Sequence, residues 1–294
     1  MQSIYKPDRI FILIHSLIIL VSGMAVALFS GHPALLILAG AVLALYLGLA
    51  LRRPLRRRRA LRRPFPEGWR EFLKRHSPFY SAFDKPGRDS FERDIRFCLA
   101  DLRIEGIRNS PVKPELRLLI AMGMATMLHG RPAWEPPVST VLVYPGERFD
   151  GDYRIGRGNF VGQAPRRGPL IVTEESLERS FSDPIDGFNV LYHELAHCFD
   201  WEDGFADGIP AARMMSIGIA EWKAILSREW QRVRNGQSIL PDYAGTNEAE
   251  FLAVACEYFF EAPGKLEGDM PEFYSAMKEF FHLDPVRIIP TAAG

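Results

Sequence analysis

The pattern of apolar and polar positions divides this chain of 294 residues into two parts. Two apolar stretches without a charged residue lie near the N-terminus, at residues 10–29 and 33–51, joined by the turn Ser30-Gly31-His32-Pro33. About 20 consecutive apolar residues are enough to cross a bilayer as a helix. We therefore predict a transmembrane helical hairpin over residues 1–51.

The rest of the chain shows the periods of helices and short strands. Helical periodicity covers residues 69–76, 89–104, 114–129, 187–199, most of 211–234, 246–260 and 271–282. Two β-branched runs, 138–144 and 169–173, predict strands, and the Gly- and Arg-rich residues 151–168 between them predict a long loop or irregular hairpin. The pattern predicts one α+β domain, mainly helical with a small sheet, over residues 67–294.

A block of basic residues follows the second apolar stretch. Residues 52–63 contain eight arginines and no acid, and Lys6 and Arg9 precede the first stretch. Because basic residues flanking a membrane span stay on the cytoplasmic side, both ends of the chain should face the cytoplasm of a bacterial inner membrane, with residues 52–66 as a basic linker. The alternative is a cleaved signal peptide ending near Ala25-Val26-Ala27. The second apolar stretch and the arginine block argue against it.

The balanced net charge conceals an acidic remainder. The chain has 36 basic and 36 acidic residues, so removing the eight arginines of the block leaves 28 basic residues against 36 acids. This balance does not favour a nucleic-acid partner. The basic block is better explained as a topology signal and an anchor to anionic lipid headgroups.

The most informative motif is His193-Glu194-Leu195-Ala196-His197, within the predicted helix 187–199. Positions i and i+4 of a helix lie about 40° apart around its axis, so both imidazoles can bind one metal ion. Glu194 points about 100° away, where it can reach a water on that metal. This pattern is typical of a zinc hydrolase, and its alternative is a helix with two solvated or core histidines.

Catalytic zinc usually takes three protein ligands, so another must come from elsewhere. No histidine follows at the spacing H-E-x-x-H-x-x-G-x-x-H. Glu250 and Glu257 lie seven residues apart on one face of the predicted helix 246–260, and Asp200 follows His197 by three residues. Asp200 is more simply explained by a hydrogen bond to an imidazole, and the alternative for Glu250 is a capping box with Asn247.

Three segments resemble the zinc peptidase family typified by Mlc titration factor A: NVLYHELAHCFD (189–200), GFADGIP (204–210) and AEFLAVACEYFFEAP (249–263). The resemblance covers residues 64–287. It implies a zincin-like fold, Glu250 as the third zinc ligand, Glu257 behind the ligands, and aminopeptidase-like activity. The family's active site is also similar to that of anthrax lethal factor, in which a tyrosine seven residues before the ligand glutamate faces the metal. Tyr243 has that spacing.

Together these features predict a membrane-anchored zinc peptidase that acts on a peptide or protein. His193, His197 and Glu250 would hold Zn²⁺, Glu194 would be the general base, and Tyr243 would stabilise the oxyanion. The strand Leu170-Ile171-Val172 is the candidate for pairing with an extended substrate. Two alternatives are a closed structural zinc site and a membrane-tethered protein that sequesters a cytosolic transcription regulator of sugar uptake, which the resemblance implies.

The other histidines and the cysteines carry no ligand-like spacing. We expect His15, His32, His76, His129 and His282 to be structural or surface residues. Cys98, Cys198 and Cys256 are odd in number and lie in apolar helical surroundings, so they predict small core residues and no disulfide framework.

Overall fold

A computed structural model describes residues 6–107, 110–131, 134–145, 168–214 and 217–289. The chain forms two compact units, Met1–Pro64 and Phe65–Gly294. The predicted loop 151–168 lies outside the described residues except for its last position.

The first unit contains the two apolar helices. Helix α1 spans Lys6–Ser30, α2 spans Ala34–Ala50, and Gly31 turns the chain between them with a φ of 69°. The two helices touch closely, because a Cβ added at Gly23 would lie 2.3 Å from Ala39 Cβ. Two helical segments, Ile10–Ser30 and Ala34–Ala60, are long and apolar enough to cross a membrane by length and composition. The basic block, predicted as a linker, is helical over Arg52–Ala60, which is α3.

The second unit is mainly helical with a three-stranded sheet, as the sequence predicts. Its strands are β1 (Arg103–Gly106), β2 (Thr140–Tyr144) and β3 (Leu170–Thr173). Its helices are α4 (Glu67–His76), α5 (Pro78–Ala82), α6 (Lys85–Asp101), α7 (Pro114–Leu128), α8 (Glu174–Ser180), α9 (Val190–Asp200), α10 (Ile219–Arg234), α11 (Glu248–Glu261), α12 (Pro263–Asp269), α13 (Pro271–Phe281) and α14 (Pro285–Ile288).

The sheet is parallel and has the order β1-β2-β3. Ile104 pairs with Val141, and Val143 pairs with Val172. The prediction of one helix over residues 89–104 is wrong at its end. Helix α6 ends at Asp101, Leu102 is extended with ψ 139°, and the Arg103 N–H donates to Ser139 O at 2.9 Å. Pairing with a distant strand overrides the local helical periodicity there.

Helix α7 is the centre of the core, and most of its side chains are buried. Gly123 allows α9 to approach it, because a Cβ at this position would lie 2.5 Å from Leu191 Cδ2. Helix α9 in turn packs along α11. These two helices carry all the residues that the sequence predicts as metal ligands.

Candidate metal centre

Helix α9 begins later than predicted because of two residues before it. Gly187 has a φ of 88°, a left-handed conformation that interrupts the helix. Asn189 then caps α9, and its side-chain oxygen accepts from the N–H groups of Leu191 and Tyr192. The cap fixes the register that brings His193 and His197 to one face, with their Nε2 atoms 3.2 Å apart.

Helix α11 presents Glu250 to these two histidines. Its Oε2 atom lies 3.1 Å from His193 Nε2 and 3.5 Å from His197 Nε2. The backbone N–H of Glu250 also donates to the Asn247 side chain at 2.9 Å. Asn247 therefore caps the helix, as the capping-box alternative predicts for this residue. The Glu250 side chain is nevertheless directed to the histidines. His193 and Glu250 are both buried.

The three groups fit one tetrahedral metal ion. With bonds of about 2.0–2.1 Å, neighbouring ligand atoms in a tetrahedral zinc site lie about 3.3 Å apart. The distances here are 3.1, 3.2 and 3.5 Å. Two imidazole nitrogens and one carboxylate oxygen are also donor types that zinc binds readily. Within the described residues, this is the one cluster of His, Cys, Asp and Glu side chains that could hold a metal ion.

Glu257 orients the first of the histidines. Its Oε1 atom lies 2.8 Å from His193 Nδ1, so a proton on Nδ1 leaves Nε2 free to face a metal. Burial alone would lower the pKa of His193, but Glu250 and Glu257 outweigh it and raise the pKa to about 10. Burial opposes ionisation of Glu250 too, yet the two histidines hold the pKa of that carboxyl below its usual range.

Sequence reasoning missed the network behind Glu257. The Asn189 backbone N–H donates to Glu257 Oε2 at 2.6 Å, and Asn189 Nδ2 donates to Glu261 Oε1 at 2.8 Å. One residue thus ties the start of α9 to two carboxylates of α11. An asparagine before a helix indicates a cap, but its bonds to α11 depend on packing between distant segments. Burial, opposed by the Asn189 bond, raises the pKa of Glu261 to about 9.

Glu194 and Tyr243 are the two residues that the sequence predicts to act in catalysis. Glu194 is half-buried and lies on α9 directly after His193. The Tyr243 ring centroid lies 6.2 Å from that of His193. Within the described part of the chain the Tyr243 hydroxyl is buried without a hydrogen-bond partner. Burial, together with the nearby Glu250 carboxylate, raises the pKa of Tyr243.

The Asp200 carboxylate bonds the loop that follows α9. Its Oδ2 accepts from the Gly208 N–H at 3.0 Å, and its other oxygen has no partner among the described residues. The hydrogen bond to an imidazole that the sequence suggests is therefore absent from the described contacts. Asp200 instead fixes the loop after α9, because Gly208 O also accepts from Trp222 Nε1 at 2.8 Å.

An open cleft of about 700 Å³ adjoins His193. It runs from the end of β3 and α8, past the loop before α9, to one face of α11. Strand β3, the candidate substrate strand, has β2 on one side and no strand on the other among the described residues.

The remaining candidate residues lie outside the centre. Their contacts are structural where the structure gives them: His76 Nδ1 lies 3.2 Å from Phe181 O, and His129 Nδ1 lies 2.9 Å from Asp94 Oδ2. His15 and His32 belong to the first unit. The three cysteines, all among the described residues, form no disulfide with one another.

Comparisons with known proteins agree with this geometry. The sequence profile of a family described as glucose-regulated metallo-peptidase M90 matches residues 52–282. An uncharacterized protein of Synechocystis sp., slr2042, is 27% identical over 249 residues, which is 79% of this chain and 89% of that protein. Mlc titration factor A of Yersinia pestis and that of Yersinia pseudotuberculosis are each 28% identical over 200 residues, covering 62% of this chain and 72% of theirs.

Proposed function

Because this chain belongs to the glucose-regulated metallo-peptidase M90 family, we propose that it is a membrane-anchored zinc peptidase with a zincin-like catalytic domain. The membership confirms the resemblance to relatives of Mlc titration factor A. The observation that carries the proposal is the convergence of His193, His197 and Glu250, with Glu194 beside the first ligand.

The proposed roles follow from what each side chain contacts. His193, His197 and Glu250 hold the metal, and Glu257 keeps the Nδ1 proton of His193 on the far side of the ring. Zinc bound there would lower the pKa of a water and polarise a peptide carbonyl. The donor set of two imidazoles and one carboxylate leaves one position for that chemistry.

Two residues move or stabilise charge during hydrolysis. The Glu194 carboxylate, half-buried next to the first ligand, takes a proton from the attacking water and returns it to the leaving amine. The Tyr243 hydroxyl has no hydrogen-bond partner among the described residues, and its pKa is raised, so it remains protonated and donates to the tetrahedral oxyanion. Aminopeptidase-like action on small peptides, which the resemblance described above implies, is the first activity to assay.

Glu194→Gln tests the chemistry. The variant should keep its zinc and its fold, because the ligands are unchanged, yet lose peptide hydrolysis by a factor on the order of a hundred or more. Zinc content by atomic emission and hydrolysis of a fluorogenic peptide set measure both. Unchanged hydrolysis in the variant would remove Glu194 from the mechanism.

A second candidate function is the capture of a cytosolic transcription regulator of sugar uptake at the membrane. The name of the Yersinia relatives, Mlc titration factor A, favours it. Capture needs the surface of the domain and not a general base, so it should survive Glu194→Gln. Binding of cytosolic regulators to immobilised wild-type and Glu194→Gln proteins separates the two functions.

The proposed layout places the hairpin at residues 1–51, the basic linker at 52–66 and the peptidase domain at 67–294. The two apolar helices and the arginines of α3 support an inner-membrane protein whose catalytic domain faces the cytoplasm.

A further inference from the structure

The cleft beside His193 is built from the same helix faces that carry the ligands. On α9, Val190 precedes His193 by one turn; on α11, Val254 follows Glu250 by one turn and Tyr258 by two. One helical turn rises about 5.4 Å, so the cleft extends from His193 to about 11 Å from the ligand level. That depth matches one large side chain of a substrate held at the metal.

The walls of the cleft are mainly apolar and aromatic. Val190 and Val254 are buried and form its inner part. Three rings surround it: Tyr243, Tyr258 and Phe188. Phe188 is exposed, and Tyr243 and Tyr258 are half-buried. Aromatic rings beside a concave site are a common mark of ligand contact, because they offer a large apolar area at little cost in conformational entropy.

The aromatic wall is held in place by its surroundings. The Arg179 guanidinium lies 5.2 Å from the Phe188 ring centroid, and the Phe188 N–H donates to Asp186 Oδ1 at 2.8 Å. Gly187, with its φ of 88°, lets the loop lie on Tyr258, because a Cβ there would be 3.2 Å from Tyr258 Cε2. The cleft therefore has a preformed shape.

The charges at the rim select against acidic groups. Among the described residues, Glu175, Asp186 and Arg179 line the rim of the cleft, and Glu257 adds a buried carboxylate beside His193. Arg179 is placed over Phe188. An acidic substrate side chain would face this excess of negative charge, whereas an apolar one would meet Val190, Val254 and the rings.

We propose that this cleft is the specificity pocket of the peptidase and takes a large apolar side chain, aromatic or long aliphatic, from the substrate residue next to the metal-bound group. The inference rests on the proposed function, since it assumes that the substrate is held at the metal centre. Val254 and Phe188 are the residues that determine its preference.

The first test measures binding without turnover. The full-length Glu194→Gln protein, loaded with zinc in lipid nanodiscs, is titrated with the hydroxamates of phenylalanine, leucine, alanine, lysine and aspartate. The hydroxamate group chelates zinc, so only the side chain varies. The phenylalanine and leucine compounds should bind about tenfold more tightly than the alanine compound, and the aspartate compound more weakly than all others. Equal affinities, or tightest binding by lysine or aspartate, would overturn the proposal.

The second test uses three variants. Phe188→Ala should reduce the ratio of phenylalanine to alanine hydroxamate affinity severalfold, and Val254→Phe, which fills the inner cleft, should bring it close to one. Phe205→Ala is the matched control, because Phe205 is another exposed phenylalanine of the same unit that does not line the cleft. It should leave the ratio unchanged. An unchanged ratio in both cleft variants, or an equal fall in the control, contradicts the proposal.

The outcomes separate this inference from the proposed function. Zinc content and circular dichroism show whether Val254→Phe is folded, and Phe188→Ala at an exposed position remains available if it is not. A wild-type protein that hydrolyses no peptide would contradict the proposed function. The ratios of hydroxamate affinities would still show whether the cleft prefers large apolar side chains. A protein that hydrolyses peptides without any side-chain preference would overturn the pocket alone.

Discussion

At the scale of single residues, the centre depends on partners that lie far apart in the sequence. His193, Glu194 and His197 are visible together because a helix joins them within five positions. Glu250 emerges from the sequence as one of three acids and is singled out by a family resemblance. Asn189 and Glu261 stay hidden, because their roles arise only when α9 packs on α11.

The metal ligands give the first residue-scale prediction. His193→Ala, His197→Ala and Glu250→Ala should each lose most of about one zinc per chain, because each removes one of three protein ligands. Asp200→Ala is the control, since its carboxylate bonds the Gly208 N–H and no ligand among the described residues. If Glu250→Ala keeps its full zinc content while Glu257→Ala or Asp200→Ala loses zinc, the ligand assignment is wrong.

Glu261 gives a pH-dependent prediction. Its pKa rises from 4.5 to about 9 on folding, so the folded state holds the proton more tightly and the stability contribution of Glu261 falls as pH rises through that window. Glu261→Gln keeps an acceptor for Asn189 and removes the ionisable group. The stability of the variant relative to wild type should therefore increase as the pH is raised from 5 to 8. Urea unfolding of both proteins at these two pH values measures it, and a difference independent of pH would contradict the assigned cause.

At the scale of elements, local pattern fails where a distant strand supplies the hydrogen bonds. The apolar positions of α6 continue in helical phase through Ile104, yet the backbone from Arg103 pairs with Thr140 and its neighbours. The predicted start of α9 is wrong for a different reason. A left-handed glycine and a capping asparagine separate residues 187–189 from the helix. Long periodic helices such as α7 are predicted closely, because burial and period agree along their whole length.

The packing of α7 on α9 gives a prediction at this scale. Gly123→Val places a side chain where Leu191 Cδ2 and Phe181 Cζ already lie within 2.5 and 3.1 Å of the first added atom. Overpacking of this kind should lower the free energy of unfolding by about 1–3 kcal/mol. Gly68→Val in α4 is the matched control, because its added side chain meets open space. Chemical denaturation compares them, and equal effects of the two substitutions would show that helix propensity, not packing, is responsible.

At the scale of the whole molecule, the hydrophobic pattern alone separates the two units. The apolar helices α1 and α2 and the arginines of α3 lie in the unit Met1–Pro64, and the metal centre lies in Phe65–Gly294. Membrane orientation depends on the charges that flank the spans and not on contacts within the protein. It is therefore predicted from the sequence.

The topological prediction follows from those flanking charges. A reporter fused after Gly294 should behave as cytoplasmic, and the full-length protein should resist carbonate extraction from membranes. Replacing the arginines of residues 52–63 by glutamine should weaken the orientation without removing the membrane association. A periplasmic reporter signal, or a mature chain that begins near Leu28, would identify the first span as a signal peptide.

The separation of the ligands along the chain also sets an order of events during synthesis. The two histidines leave the ribosome well before Glu250, which lies 57 residues after His193. A nascent or truncated chain that stops between α9 and α11 carries the complete H-E-x-x-H motif but lacks the third ligand and the orienting carboxylate of Glu257. The apolar helices α1 and α2, by contrast, are translated before both α9 and α11. The proposed peptide hydrolysis therefore requires a chain made through α11, by which point α1 and α2, the segments proposed to insert into the membrane, are already complete.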